Sequence, residues 1–535
     1  MNKPLKIYNA SAGSGKTYQL VLQFLRLILS NQSDNSIKEI IAMTFTNKAA
    51  NEMKERIITS LFGLANYSEI KDNTILGYFN QLKEDGYSEK EIFSRSKKQL
   101  KKLLHAYEDF HVMTIDKFNL KLIRQFSRDL DLPGKFEVIL DEKEIIEQSI
   151  DLLIDNIGKK KHALSTSLVY NYAKNNIDEG KRWDIRNQML DFLQILNKEN
   201  YFSKISELKN KKTNPNSISE WNKKINSINS TYIEKCTKAF LLFQQLNIED
   251  DSLPGKSTVG NQLRKMGKFR SLKENINIST INACKKDTPK GRTFPEQLKQ
   301  IILDANLYRE KNTSKFELLS LLKSNYYKIS LLRFVSNEIN NIKNENQLIR
   351  ISEFNKLVSI LIQDSSTPYI YEKIGTKYKH FLLDEFQDTS RLQWLNMIPL
   401  IEESISTGNI NFIVGDPKQA IYRFRNGMAE QFVELPKIYN PENFSHLKRS
   451  SELFEASGIN EELEVNRRSG MEIIKFNNFL FEHLSKELLN NSSFYHSSTQ
   501  KTHRKNIGYV HLVSHKLEEK KQIERQVDYI EKYIL

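Results

Sequence analysis

The stretch IYNASAGSGKTYQL, residues 7–20, decides the fold of this chain. An apolar segment runs into small residues, 12–15, and then into Lys16 and Thr17. A strand, a tight turn and a helix N-terminus in this order direct several backbone N–H groups at one point, where they attract phosphate. Lys16 would then place its charge on the outer phosphates of a nucleotide, and the Thr17 hydroxyl would hold Mg²⁺. The alternative is a glycine-rich turn that binds nothing.

This loop departs from the pattern G-x-x-x-x-G-K-[ST] at one position, because Ala10 stands where the first glycine is expected. The context still fits the pattern. An apolar segment, 5–8, precedes the loop, and apolar residues at helical spacing follow it between Val21 and Ile28. We therefore predict an ATP-binding loop formed by Ala10, Ser11, Ala12, Gly13, Ser14, Gly15, Lys16 and Thr17.

Composition limits the class of protein. The chain has 535 residues, a length that suits about three or four domains. Its 80 Lys and Arg against 66 Asp and Glu give a net charge of +14, which favours a polyanionic partner such as nucleic acid. Cys236 and Cys284 lie far apart, which argues against a disulfide framework or a CxxC metal site. Neither an apolar signal core nor an apolar run of about 18 residues occurs, so we expect a cytoplasmic protein with no membrane partner.

Short apolar runs indicate the class of fold. Each is followed by a polar or small turn, and most by a helical pattern, as in a doubly wound α/β protein with a parallel sheet. The predicted strands lie at 5–10, 39–46, 110–116, 380–385 and 411–416.

A different pattern fills the region from about 140 to 350, where Lys, Asn, Glu, Leu and Ile recur at helical spacing. We predict a mainly helical insertion with loops near 248–295. Basic clusters in it, such as residues 264–273, either touch a nucleic-acid backbone or form a solvated face.

The segment HFLLDEFQDTS, residues 380–390, supplies the acids that nucleotide hydrolysis needs. Asp384 and Glu385 follow an apolar run, at the point where the strand would leave the sheet. One carboxylate would hold Mg²⁺, and the other would orient or deprotonate the attacking water. An acidic pair at a strand end without a metal is the alternative, but the loop at Lys16 favours the metal site.

The segment NFIVGDPKQAIYRFRNG, residues 411–427, joins a strand to an aromatic and basic stretch. Gln419 stands where its side-chain amide would sense the γ-phosphate. In IYRFR, residues 421–425, aromatic rings would stack on bases and guanidinium groups would take phosphates. The alternative is a helix start packed on the core.

Taken in order, these motifs resemble those of the UvrD/Rep-like superfamily 1 DNA helicases, and more narrowly of their RecB/AddA branch. The matching segments are ASAGSGKT (10–17), AMTFTNKAANEMKERI (42–57), TIDKF (114–118), LLDEFQDTS (382–390), VGDPKQAIYRFRNG (414–427) and NRRS (466–469).

The resemblance implies a domain plan. A RecA-like P-loop motor domain would comprise residues 1–135 and 350–440, with a helical subdomain inserted at 136–349. A second RecA-like domain would begin in residues 445–535 and stay incomplete. Because the motifs expected near the end of that domain, including a second arginine finger, do not occur, we expect an N-terminal portion of a longer protein with low activity alone.

The resemblance also implies an activity. The chain would use ATP and Mg²⁺ to move 3′ to 5′ on single-stranded DNA or on duplex DNA with a single-stranded tail, in recombination or double-strand-break repair. A second subunit of a helicase–nuclease complex would be its partner. Two alternatives stay open: another P-loop ATPase, and a non-catalytic DNA-binding partner subunit. Stimulation of hydrolysis by single-stranded DNA would argue against the first, and the intact Lys16, Asp384, Glu385 and Gln419 argue against the second.

Roles for individual residues follow from the same resemblance. In the ATP site, Thr17 and Asp384 would hold Mg²⁺, Glu385 and Gln419 would be catalytic, and Arg468 would be an arginine finger. Arg467 stands where an aromatic residue often stacks on adenine, and its planar guanidinium would take that place. The implied DNA contacts are Thr44, Phe45, Asn47, Lys48, Thr114, Phe118, Tyr422, Phe424 and Arg425.

Overall fold

The chain divides into two compact units. The first comprises Met1–Phe136 with Arg350–Leu535, and the second comprises Glu137–Ile349. The computed structural model describes residues 3–30, 36–66, 72–139, 141–178, 180, 182–197, 204, 207, 216–253, 256–277, 280–282, 295–364, 378–487, 499–503 and 507–512.

Strands and helices alternate through the first unit, and helices dominate the second. The strands are β1 (Leu5–Ala10), β2 (Ile40–Thr44), β3 (His111–Thr114), β4 (Glu137–Ile139), β5 (Leu348–Arg350), β6 (His380–Leu383), β7 (Asn411–Gly415), β8 (Gly458–Leu463), β9 (Val465–Asn466) and β10 (Lys501–Thr502). The helices of the first unit before the second begins are α1 (Lys16–Leu29), α2 (Ser36–Glu39), α3 (Asn47–Ala65), α4 (Asn73–Glu84), α5 (Glu89–His105) and α6 (Ile115–Gln125).

The remaining helices follow in chain order. Those of the second unit are α7 (Glu142–Asp155), α8 (Ala163–Asp178), α9 (Arg186–Leu193), α10 (Asn216–Gln245), α11 (Lys256–Met266) and α12 (Glu296–Glu345). Those of the first unit after the second ends are α13 (Phe354–Asp364), α14 (Arg391–Ser406), α15 (Glu430–Glu434), α16 (Ser445–Ser457) and α17 (Met471–Glu487).

The first unit is built on a parallel six-stranded sheet in the order β3-β2-β6-β7-β1-β8. Five of these strands coincide with the predicted apolar runs, and the α/β fold class is confirmed. Strands of a parallel sheet are covered on both faces, so every residue along β2 and β7 is buried. Helices α1 and α3 cover the sheet with an apolar core that includes Phe24, Leu25, Ile57 and Leu61.

The strand β8 moves a predicted domain boundary. It pairs in parallel with β1 from Leu5 to Ala10, so residues up to Leu463 belong to the first sheet. The family resemblance places the start of a second domain near 445, whereas residues 458–463 pair in the sheet of the first unit. The sequence GINEEL hides this strand because most of its side chains are at least partly exposed, as expected at a sheet edge.

Helices form most of the second unit, where the spacing predicts them. The 50-residue helix α12 contributes to two apolar clusters, one around Leu331 and Val335 and another around Leu298 and Ile302. Of the two loops predicted within 248–295, at 249–260 and 285–294, the first is wrong for residues 256–260, because α11 begins there and buries Val259. Residues 283–294, which include Cys284, lie outside the described residues. No helix among the described residues has the length and apolar character needed to cross a membrane.

Candidate active site

The loop between β1 and α1 has the conformation that phosphate binding requires. Gly13 and Gly15 have φ angles of 79° and 97°, in the left-handed region that glycine adopts without a steric cost. Ser14 donates from its N–H and its hydroxyl to the Ser11 carbonyl, at 3.1 and 2.7 Å, which folds the loop back on itself. The helix α1 then begins at Lys16, so its first N–H groups lie beside the loop.

Lys16 is hydrogen-bonded to two of the predicted catalytic residues. Its Nζ donates to Glu385 Oε2 at 2.8 Å and to Gln419 Oε1 at 3.3 Å. The strands β6, β7 and β1 are neighbours in the sheet, so residues that follow their carboxyl ends meet at one edge. Glu385 itself has a φ of 50°, a left-handed conformation that non-glycine residues seldom adopt outside constrained sites.

Asp384 is the buried acid of the site. Its side chain accepts from the Glu385 N–H at 3.0 Å, and the residue is only 8% exposed. Burial and the neighbouring Glu385 raise the pKa of Asp384 to about 7, against the attraction of Lys16 and Arg56. A bound cation would favour the charged form of this carboxyl.

The residues present fit a Mg²⁺ ion held together with a nucleotide. Asp384 and Thr17 offer hard oxygen donors, the ligand type that Mg²⁺ prefers. Among the described residues, no group of three or more His, Cys, Asp or Glu side chains could hold a metal alone. Phosphate oxygens and water would therefore have to complete the ligand set, as is usual for Mg²⁺ bound with a nucleotide.

A cavity of about 520 Å³ opens beside the loop. Its lining comprises Ala12, Gly13, Gly15, Lys16, Thr17, Tyr18, Arg56, Glu385, Gln419, Arg467 and Arg468. Tyr18 and Arg56 are not among the residues predicted from the sequence. Tyr18 stacks on Tyr78 of α4, with ring centroids 4.4 Å apart, and directly follows the loop motif. Arg56 lies within the matching segment 42–57, in which the predicted contacts are confined to residues 44–48.

Asn466 attaches the predicted arginine finger to the loop. Its Nδ2 donates to the Ala12 carbonyl at 3.1 Å, and its Oδ1 accepts from the Arg468 N–H at 2.9 Å. Next to it, the Arg467 N–H donates to the Gly13 carbonyl at 2.9 Å. The backbone of Arg467 is therefore held by the loop directly, and that of Arg468 is held through buried Asn466, which has no role assigned from sequence.

An aromatic cluster of Phe45, Tyr422 and Phe424 lies on the surface of the same unit. The ring centroids of Phe45 and Tyr422 are 4.4 Å apart, and those of Tyr422 and Phe424 are 5.8 Å apart. The Arg425 guanidinium lies 5.8 Å from the Tyr422 ring and 5.9 Å from the Phe424 ring. Phe424 is 76% exposed, which contradicts the alternative that IYRFR packs on the core.

The structure corrects the predicted DNA contacts of three side chains. Phe118 is only 1% exposed and packs on Tyr378, because α6 turns this face to the core. The Thr44 hydroxyl is buried and donates to the Thr46 carbonyl, and Thr114 caps α6 by accepting from the Lys117 N–H. Lys117 is the exposed residue of this segment, whereas Asn47 and Lys48 are exposed as a DNA contact requires.

Comparison with known proteins finds a protein family whose profile matches most of this chain. The profile of the UvrD/REP helicase N-terminal domain matches residues 1–440. A protein of Listeria welshimeri, named as one subunit of an ATP-dependent helicase/nuclease, is 24% identical over 522 residues, which cover 89% of this chain and 38% of that protein.

Proteins of the same name from Staphylococcus epidermidis and Clostridium botulinum are 24% and 25% identical, over 91% and 88% of this chain. These matches cover 38% and 37% of the two relatives. The chain thus spans a little over a third of the length of the curated relatives that it matches.

Proposed function

The chain belongs to the family of the UvrD/REP helicase N-terminal domain, and from this membership we propose that it carries the ATP-hydrolysing part of a DNA helicase moving 3′ to 5′ on single-stranded DNA. One observation carries the proposal. Gln419, which accepts from Lys16 in the phosphate loop, precedes Tyr422 of the exposed aromatic cluster by three residues. A nucleotide site and a base-stacking surface thus share one short segment.

The chemistry proposed at the loop is phosphoryl transfer to water. Lys16 binds the outer phosphates, and Glu385 orients and deprotonates the attacking water. Arg468 places a further cation on the transferring phosphoryl group. Thr17 and Asp384 would hold Mg²⁺, and the ion would supply positive charge near the phosphate oxygens.

The proposed substrate is single-stranded DNA, alone or as the tail of a duplex. Stacking on aromatic rings is tolerant of sequence and is worth about 1–3 kcal/mol per base. Phe45, Tyr422 and Phe424 supply such rings, while Arg425 and Lys48 supply cations for the phosphates. The net charge of +14 adds a field that attracts a polyanion.

The biological setting proposed here follows the relatives. Their name describes one subunit of a helicase/nuclease. We extend this to the present chain as a proposal: a partner protein in the same complex, a role in recombination or double-strand-break repair, and a cytoplasmic location. Analysis of proteins that copurify with the tagged chain from its own cells tests the partner.

The test of the activity compares ATP hydrolysis with and without oligothymidine, in the presence of Mg²⁺, for the wild type and for Lys16→Ala. We expect hydrolysis that DNA stimulates in the wild type and that is lost in the variant, with an unchanged melting temperature. Hydrolysis without stimulation by DNA would favour another class of P-loop ATPase, and DNA binding without hydrolysis would favour a non-catalytic subunit. Release of streptavidin from the 3′ or 5′ end of biotinylated DNA reports the direction of movement.

A further inference from the structure

Two buried side chains in the turn after β6, Gln387 and Asp388, have no role in the function proposed above. They are 1% and 5% exposed. Buried amide and carboxyl groups are costly unless hydrogen bonds satisfy them, so their partners identify what they position. Those partners lie at the nucleotide site on one side and at the aromatic cluster on the other.

Gln387 contacts the nucleotide side. Its Nε2 donates to Glu385 Oε2 at 2.8 Å, the same oxygen that accepts from Lys16 at 2.8 Å. Its Oε1 accepts from the Asp416 N–H at 3.0 Å, directly after β7. A Cβ atom at Gly415 would lie 2.8 Å from this Oε1, so the amide fits there because residue 415 has no side chain.

Asp388 contacts the DNA side. Its Oδ2 accepts from Gln387 Nε2 at 3.3 Å, and its Oδ1 accepts from the Ile421 N–H at 3.3 Å. The Tyr422 N–H donates to the same carboxyl. A continuous set of hydrogen bonds therefore runs from Glu385 through Gln387 and Asp388 to the backbone that carries Tyr422.

We propose that Gln387 and Asp388 are positioning residues that couple single-stranded DNA binding at the aromatic cluster to the placement of Glu385. The inference rests on the proposed function. A base that stacks on Tyr422 fixes the backbone at residues 421–422, and Asp388 and Gln387 transmit that position to Glu385. When a nucleotide draws Lys16 away from Glu385, Gln387 stays as the donor that holds the carboxylate.

Because Asp388 is buried, its charged carboxylate depends on the groups that donate hydrogen bonds to it. Burial raises the pKa of Asp388 to about 6 and Glu385 adds to the effect, while the two backbone N–H donors and Lys16 oppose it. Near neutral pH the carboxylate is charged and buried, so losing a donor is costly. Movement of residues 421–422 is therefore opposed by the carboxylate that Gln387 also contacts.

The test measures coupling between two ligands at equilibrium. Fluorescence anisotropy gives the affinity for labelled oligothymidine with and without Mg²⁺ and a non-hydrolysable ATP analogue. The ratio of the two affinities is the coupling factor, which by linkage is the same for each ligand acting on the other. We expect at least fivefold coupling in the wild type, within the range of about 5–150-fold common in allosteric proteins.

Two variants interrupt the hydrogen bonds between Glu385 and the Tyr422 backbone at different places. Asp388→Asn replaces one acceptor oxygen with an NH₂ group that can only donate, so the side chain can no longer accept from Gln387 at one end and from the backbone N–H groups at the other. Ile421→Pro removes the N–H donor at a residue whose side chain is 69% exposed, and Ala420 before it is already extended, as a residue preceding proline requires. The matched control, Ile421→Ala, shortens the same side chain and keeps the N–H.

We expect both Asp388→Asn and Ile421→Pro to bring the coupling factor to within twofold of one, and Ile421→Ala to keep it. As a structural control, Asn396→Ala removes a buried hydrogen bond to the Asn355 carbonyl and should lower the melting temperature with the coupling intact. If Asp388→Asn does not fold, the pair of Ile421 variants decides.

Other outcomes overturn the inference. Full coupling in Asp388→Asn or Ile421→Pro would do so, as would loss of coupling in Ile421→Ala, which would assign the effect to the exposed side chain. A wild-type chain that binds both ligands without coupling would overturn the inference but leave the proposed function standing. A wild-type chain that binds no oligothymidine would overturn both.

Discussion

Lys16 Nζ and Glu385 Oε2 lie 2.8 Å apart, so the cation predicted to hold phosphate is paired with the acid predicted to activate water. A nucleotide has to compete with Glu385 for this cation. We predict that Glu385→Gln binds ATP about fivefold more tightly, because the competing charge is removed and a partly exposed ion pair is worth about 1 kcal/mol. The rate of hydrolysis should fall by a factor of about 10²–10⁴, which is the usual contribution of general acid–base catalysis.

Titration with a fluorescent ATP analogue and an assay of phosphate release measure the two effects. The control is Glu442→Gln, which removes an acid paired with Arg391 elsewhere in the first unit and should change neither. Unchanged affinity in Glu385→Gln would mean that the ion pair does not compete with the nucleotide.

Phe424 and Phe118 form a second matched pair of variants. Phe424→Ala should weaken binding of single-stranded DNA by roughly ten- to a hundredfold, because stacking is worth about 1–3 kcal/mol per base. ATP affinity and melting temperature should stay near the wild-type values, since Phe424 is 76% exposed. Phe118→Ala should instead lower the free energy of unfolding by about 3–5 kcal/mol, because it leaves a cavity in the core.

Anisotropy with oligothymidine and urea denaturation distinguish the two phenylalanines. If Phe424→Ala fails to fold, or if it binds DNA as tightly as the wild type, this ring is not part of the proposed DNA surface.

Alanine variants of two glycines, Gly13 and Gly86, distinguish the effect of backbone strain from that of a steric clash. Its φ of 79° is unfavourable for alanine, and an added Cβ would lie 2.7 Å from Asn466 Oδ1 and 2.9 Å from the Arg468 Cβ. We predict that Gly13→Ala displaces the Asn466 segment and lowers ATP affinity at least tenfold. Gly86→Ala introduces similar strain, at a φ of 96°, with no atom within 4 Å of the added Cβ.

Both variants should lose about 1–3 kcal/mol of stability from the strained conformation. Calorimetric titration with an ATP analogue checks the affinities, and only Gly13→Ala should be affected. Equal affinities for the two variants would show that contact between the loop and Asn466 is unimportant for binding.

His380 predicts a pH dependence of stability. Burial lowers the pKa of His380 below its usual 6.5, and this effect outweighs the hydrogen bond between Nδ1 and the Ile410 carbonyl, 3.0 Å away, which favours the charged ring. The neutral ring is therefore favoured in the folded state. This contribution to stability is fully present above pH 6.5 and is lost as the pH falls toward the lower pKa of the folded state.

Urea denaturation between pH 7.5 and 5 measures the effect. His380→Asn keeps a polar side chain that can donate to or accept from the Ile410 backbone but does not titrate, so its free energy of unfolding should fall less steeply with acid than that of the wild type. His446→Asn, at an exposed histidine, should follow the wild type. Parallel curves for wild type and His380→Asn would contradict the prediction.

The sequence predicted strands best where the strand is buried on both faces of the sheet. The strands β2 and β7 are covered on both faces, so they form continuous apolar runs that can be recognised without the fold. The edge strand β8 has no such run, and its pairing with β1 depends on tertiary structure. Local spacing therefore predicted the four interior strands and the mostly buried edge strand β3, but not the exposed edge strand β8.

The residues of the candidate site also differ in how well the sequence predicts them. Lys16 and Glu385 belong to short motifs with a known chemistry, and their meeting follows from the order of the strands. Asn466 and Asp388 act through backbone groups of residues far away in the sequence, Ala12 and Ile421. Nothing in their local sequence identifies such partners.

The order of the strands also has a consequence for synthesis on the ribosome. The strand β1 pairs with β7 and β8, and β2 pairs with β3 and β6, so β1 and β2 are separated by strands translated hundreds of residues later. At about 5–20 residues per second, their partners β6 and β7 emerge only after a delay on the order of tens of seconds. During that time the nascent chain carries two apolar strands with open edges, which exposes it to pairing with the strands of other chains.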